Sequence, residues 1–115
     1  MTKEIILKFV EAWGDKKIDK IASFFTKDCI YKASVGPEPG ITYTGKANVM
    51  NGIEHMIKHD SGGEAIVENI KIYEDFGVSE WTYVFKDKSK IFGCDLFEFK
   101  GDKIKMINAF RKTSS

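Results

Sequence analysis

Apolar residues recur at helical spacing in the first half of this chain and at every second position in the second half. From Glu4 to Trp13 the residues Ile5, Ile6, Phe9, Val10 and Trp13 share one side, with Lys8 and Glu11 opposite, which predicts an amphipathic helix. Gly14 ends it, Asp15-Lys16-Lys17 makes a turn, and Ile18, Ile21, Ala22 and Phe25 predict a shorter second helix to about Thr26. Asp28 to Ser34 reads as a strand, with Ile30 and Lys32 on one face and Cys29, Tyr31 and Ala33 on the other. Gly36-Pro37-Glu38-Pro39-Gly40 cannot continue it, because proline lacks the backbone donor that a ladder needs. Thr44 is placed to cap a third helix with a buried stripe of Val49, Ile53, Met56 and Ile57, leaving Asn48, Asn51 and His55 to solvent.

After Ser61-Gly62-Gly63 come four stretches of alternation, about Glu64 to Asp75, Val78 to Lys86, Lys90 to Lys100 and Lys103 to Lys112. Their connections, Phe76-Gly77, Asp87-Lys88-Ser89 and Gly101-Asp102, are short, so the strands form an antiparallel meander. Helices followed by a meander make an α+β fold, and the length suits one domain over residues 1–115. Neither sheet face is polar. Val78, Thr82 and Val84 lie with Glu80, against Trp81, Tyr83 and Phe85; in the next strand Phe92, Cys94 and Leu96 oppose the face of Asp95. Three helices cover one face, so a patch of Trp81, Tyr83, Phe85, Phe92 and Leu96 is expected to seat a second copy of the chain, unless the sheet curls over part of it.

The chemistry points to one residue. Asp95 shares its face with Ile91, Gly93, Phe97 and Phe99, so a carboxyl is carried into apolar surroundings. Two readings stand: an acid that acts on a ligand, or a structural acid hydrogen-bonded within the core.

Composition removes other classes. Eighteen basic and seventeen acidic residues, formal charge +1, are spread evenly with a single arginine, Arg111, which argues against a nucleic-acid partner. No apolar run reaches membrane-spanning length and no signal core precedes the first helix, so a cytoplasmic protein without a membrane partner is expected. Cys29 and Cys94 lack metal-ligand spacing and read as free thiols, with a disulfide the lesser alternative. His55 and His59 stand four apart without the acid of a HExxH arrangement, so no metal site is expected; His59 suits the end of the third helix. The Thr-Ser-Ser tail is expected to fray.

Two N-terminal helices, a strand with a Gly-Pro loop, a third helix and a meander carrying CDLFEF and a Gly-Asp-Lys-Ile turn resemble, from about Ile5 to Arg111, the NTF2-like superfamily, nearest its SnoaL-like cyclases and ketosteroid isomerases. The resemblance implies a conical barrel of curved, mainly antiparallel sheet around an apolar pocket closed by three helices, usually dimeric through the sheet's outer face. It puts Asp95 where ketosteroid isomerases carry the protonated acid of their oxyanion hole. It puts Phe9 in place of their first-helix tyrosine and Ala33 in place of their general base, which argues against that mechanism here. Compared with limonene epoxide hydrolases, Tyr31 is matched, whereas Ala33, Ala109, Glu80 and Thr82 replace the other water-activating residues.

The inward set the resemblance implies is Tyr31, Glu80, Thr82 and Asp95, walled by Phe9, Trp13, Ile53, Val84, Phe97 and Ile107. As an enzyme, the protein would need no cofactor: Asp95 and Glu80, sharing a proton, would move protons next to a carbonyl of a small apolar molecule, with Tyr31 as donor. As a binding module, the same dimeric pocket would hold an apolar metabolite without turning it over.

Overall fold

The computed structural model describes residues 1–35, 40–60 and 62–112, so the two prolines, Ser61 and the Thr-Ser-Ser tail lie outside the described residues. Helix α1 spans Lys3–Gly14, α2 Ile18–Ala22 and α3 Lys46–His59; the strands are β1 Phe25–Lys32, β2 Thr42–Thr44, β3 Glu64–Tyr73, β4 Phe76–Val84, β5 Lys90–Lys100 and β6 Lys103–Arg111. The architecture is α+β. The strands form one sheet in the order β2-β1-β6-β5-β4-β3, antiparallel except for β1 beside β6, and its two edge strands leave it open.

Thr2 caps α1 through its hydroxyl, which accepts from the Ile5 N–H at 3.2 Å, and the helix buries Ile6, Phe9 and Ala12. Ring edges assemble the core around Phe9, which meets Phe24, Phe25 and Phe97 edge to face at 5.7, 5.7 and 6.4 Å. Ile21, Val49, Ile53, Ile104 and Ile107 complete it, each fully or almost fully buried.

Three local expectations are corrected. The second helix stops at Ala22 and β1 begins at Phe25, because Phe25 pairs with Ile104 and the Ile104 N–H is donated to the Phe24 carbonyl: pairing across the sheet overrides the helical spacing. Thr44 is not a cap. It ends β2, an edge strand pairing Tyr43 with Tyr31, and Gly45 stands at the start of α3 without a side-chain cap. The β3–β4 turn is Glu74-Asp75 rather than Phe76-Gly77, which pair with Tyr73 and Ile72. Gly77 is needed for packing instead: a Cβ there would lie 2.8 Å from the Phe99 ring.

The register also decides which way side chains point. Asp95 stands directly opposite Ser79 on β4 and Ala109 on β6, and directly opposed residues share a face. Ser79, Trp81 and Tyr83 therefore project inward with Asp95 and Phe97, while Glu80, opposite Cys94, projects outward with Thr82 and Val84. The expected pairing of Glu80 with Asp95 is overturned, as is the outward placement of Trp81 and Tyr83. Cys29 is buried on the inner face and Cys94 half-buried on the outer; both are free thiols. No described helix is long and apolar enough to cross a membrane.

Candidate functional site

Between the curved inner face and the helices lies a cavity of about 470 Å³. Helix α1 supplies Phe9, Val10 and Trp13, the end of α3 supplies Met56, Ile57 and Asp60, and the sheet supplies the polar groups. Of the residues expected at the site, Phe9, Trp13, Tyr31, Asp95 and Ile107 line this cavity. Ile53 and Phe97 lie behind its wall in the core, and Thr82, Val84 and Glu80 are on the other side of the sheet. Glu80 is exposed and accepts a 3.2 Å hydrogen bond from Asn69.

Asp95 is partly buried, with its remaining surface turned to the cavity. Loss of water pushes its carboxyl up to about 7, against the pull of the Trp81 Nε1–H, which donates to Oδ1 at 3.2 Å. Burial alone raises it; no second carboxylate takes part. The indole reaches Asp95 because position 93 is glycine: Gly93 stands opposite Trp81, and a Cβ there would collide with the indole ring and the Phe110 carbonyl. The GxD spacing of Gly93 and Asp95 thus belongs to one device.

Tyr31, 2% exposed, is wedged between Tyr43, stacked at 6.0 Å, and Trp13, edge-on at 6.1 Å. Burial, reinforced by Asp95 and Asp60, holds its phenol well above the ordinary value, so it stays a protonated donor.

A second polar group lies toward the mouth. Arg111 donates from Nη2 to Asp60 Oδ2 at 3.1 Å and from Nε to Ser34 Oγ at 3.0 Å, and its Cζ sits 5.7 Å from the Trp81 ring centre. The other Asp60 oxygen meets His59 Nδ1 at 2.9 Å, while the Tyr83 hydroxyl donates to the Asp60 carbonyl and accepts the Gly63 N–H at 3.2 Å. His59 itself is exposed.

Trp81, Tyr83, Asp60 and Arg111 are the residues that sequence reasoning left out. Two signals were present: Asp60 is an acid at the C-terminal end of a helix, where the dipole disfavours negative charge, and Arg111 is the chain's one arginine. Chemically, the cavity offers one carboxyl that both accepts and returns a proton near neutrality, a phenol donor and a guanidinium, inside apolar walls.

The model of the SnoaL-like domain matches residues 6–107. Solved structures with the same fold include an NTF2-like protein of unknown function from Mesorhizobium loti, 16% identical with a TM-score of 0.80, covering 96% of this chain and 89% of that one. A candidate ketosteroid isomerase from Kribbella flavida is 12% identical with a TM-score of 0.79, covering 98% and 78%. A candidate polyketide cyclase from Sinorhizobium meliloti is 13% identical with a TM-score of 0.75, covering 94% of each. No curated protein matches the chain. Likeness at such identities carries the fold alone, whereas the domain match runs from the first helix into the last strand, through the pocket walls and Asp95: this chain belongs to the SnoaL-like domain family.

Proposed function

We propose that this protein catalyses cofactor-free proton transfer next to a carbonyl group of a small, largely apolar substrate. The observation that carries the reading is the Asp95 carboxyl, set in the cavity and pushed up to about 7, so that near neutrality it is divided between base and acid. In its ionised form Asp95 takes a proton from the carbon beside the carbonyl; the electron pair moves onto the oxygen, and Tyr31 stands as the donor that meets the developing charge. Returning the proton to another carbon, or to another face, completes an isomerisation without a redox partner or metal. Likeness in fold to a candidate isomerase and a candidate cyclase supports this class of chemistry.

The test is hydrogen exchange at the acidic carbons of 4-phenylbutan-2-one in D₂O, followed by NMR. Wild type should accelerate exchange with a dependence on an ionised group near pH 7, and Asp95→Asn should not. Saturable binding of the ketone without any exchange would instead establish a binding module, the reading favoured by Ala33 and Ala109 at positions where a base would help.

The assembly we propose is a homodimer through the sheet's outer face. Trp81 and Tyr83 leave that face, and Phe85, 5.0 Å from Tyr83, accompanies them; Phe92 and Phe110, 49% and 50% exposed, with Leu96 and Val84, form the patch instead. Sedimentation should give twice the chain mass at micromolar concentration, and Phe92→Asp should give monomer.

A further inference from the structure

The geometry points to a second anchor in the same pocket: we propose that Arg111 binds a planar oxygen anion carried by the substrate, either a carboxylate or the enolate of a 1,3-dicarbonyl. This deepens the proton-transfer reading by naming the polar head of its substrate.

A guanidinium has five N–H donors in a rigid fork. Arg111, 11% exposed at its side chain, commits one to Ser34 and one to Asp60, and among the described residues the other three have no partner, although the group lines the cavity. A half-filled fork in a partly dry site is matched by two oxygens sharing one negative charge. Asp60 balances the charge but takes only one of the N–H groups, its other oxygen being turned to His59, so the remaining donors of the fork stay open to a ligand. The cavity is also lined by Glu11, Asp15 and Glu64, together with Lys16, but all four are exposed, where water and salt weaken their field.

Position argues the rest. Arg111 lies two residues beyond Ala109, the partner of Asp95, so it is a diagonal neighbour of Asp95 on one sheet face, at a Cα separation of roughly 7–8 Å. Yet the two do not form an ion pair. The Trp81 indole serves both, giving its N–H to Asp95 and its ring face to Arg111, while Asp60 and Ser34 hold the guanidinium in place. One small molecule therefore reaches both groups, with its acidic carbon at Asp95 and its paired oxygens at Arg111.

Equilibrium binding tests this without turnover. Titration calorimetry would compare 3-phenylpropanoate with its neutral amide, and benzoylacetone would be followed by the absorption of its enolate. Wild type should bind the acid about tenfold more tightly than the amide or, where the head is an enolate, shift benzoylacetone toward its enolate. Arg111→Gln should remove whichever preference is seen while changing amide affinity less than about twofold. Equal affinity for acid and amide together with no enolate shift in wild type overturns the proposal, as does a preference that survives Arg111→Gln. Should that variant fail to fold, Arg111→Lys keeps the charge without the fork and should lose most of the preference; an undiminished preference overturns it equally. Asp95→Asn should abolish hydrogen exchange yet keep anion binding; absence of exchange in wild type itself, with the preference intact, would remove the proton-transfer reading and leave this one standing.

Discussion

The two faces of β4 and β5 are built from similar residues but have different environments. On the inner face Trp81, Tyr83 and Asp95 each have a named polar partner, and the Asp95 carboxyl is driven far from its ordinary value. On the outer face Glu80, one position from Trp81, is exposed and holds only Asn69. An acid's identity thus says little about its chemistry. Burial and a fixed donor make the difference, and both follow from which face the register assigns.

The largest expected effect separates the two acids by activity. Asp95→Asn should lower proton exchange by about a hundredfold to ten-thousandfold, the usual range for losing a general base, while Glu80→Gln should leave the rate within about twofold. Equal losses from the two, measured by NMR in D₂O, would break the comparison between the faces.

Stability against pH gives the next effect. Between the unfolded value near 3.8 and the folded value about 7, the folded chain holds a proton on Asp95 that the unfolded chain has released. Wild-type stability should therefore fall across that window and level off above it, by an amount on the order of 4 kcal/mol. Asp95→Asn removes this slope, so its stability relative to wild type should rise from pH 4 to pH 8; Glu80→Gln should show no such trend. Urea melts across the range check this, and an Asp95→Asn deficit that grows with pH would mean the carboxylate is held as an anion.

Much of this arrangement was legible in the sequence. Period-two alternation placed β3, β5 and β6 within about two residues, and it put Asp95 in the company of Phe97 and Phe99. The face of β4 was not legible from composition, because Thr82 and Val84 are as compatible with a pocket wall as Trp81 and Tyr83. Turn arithmetic holds the answer. A connection over Asp87-Lys88-Ser89 pairs Lys86 with Lys90, and the observed connection over residues 85–89 pairs Val84 with Lys90. In either case odd-numbered positions oppose odd-numbered ones, which puts Trp81 rather than Glu80 on the face of Asp95. Asp60 and Arg111 were harder to join, since they are brought together only by the docking of the α3 end on the sheet, a contact with no local pattern. Phe25 and β2 were missed for a related reason: pairing partners far along the chain decide short segments that propensity leaves open.

Gly93 sharpens the comparison at the level of packing. Gly93→Ala would drive a methyl group into the Trp81 ring and the Phe110 carbonyl. Relieving that clash should cost about 1–3 kcal/mol and should move the indole away from Asp95, lowering exchange as well as the melting temperature. Gly101→Ala, in the β5–β6 turn where added atoms meet nothing, although a φ of +60° strains an alanine, should lower stability and leave exchange unchanged.

The smallest effect concerns the hydroxyl of Tyr83. It accepts the Gly63 N–H and donates to the Asp60 carbonyl, tying the segment after α3 to β4. Tyr83→Phe keeps the ring, which packs against Phe85 at 5.0 Å, and deletes only these bonds. The cost in stability should be about 1 kcal/mol, the net worth of a hydrogen bond that water partly replaces in this half-buried place. Because Asp60 also holds Arg111, the same change should loosen the guanidinium and weaken anion binding by a few-fold while leaving the Asp95 titration in place. Thr82→Val alters a neighbouring residue on the outer face by a similar amount of chemistry, and it should change neither quantity measurably. Calorimetric melts and acid-versus-amide titrations of the two variants decide the matter: matching behaviour would mean that Tyr83 packs the wall and does not position the pocket's charged end.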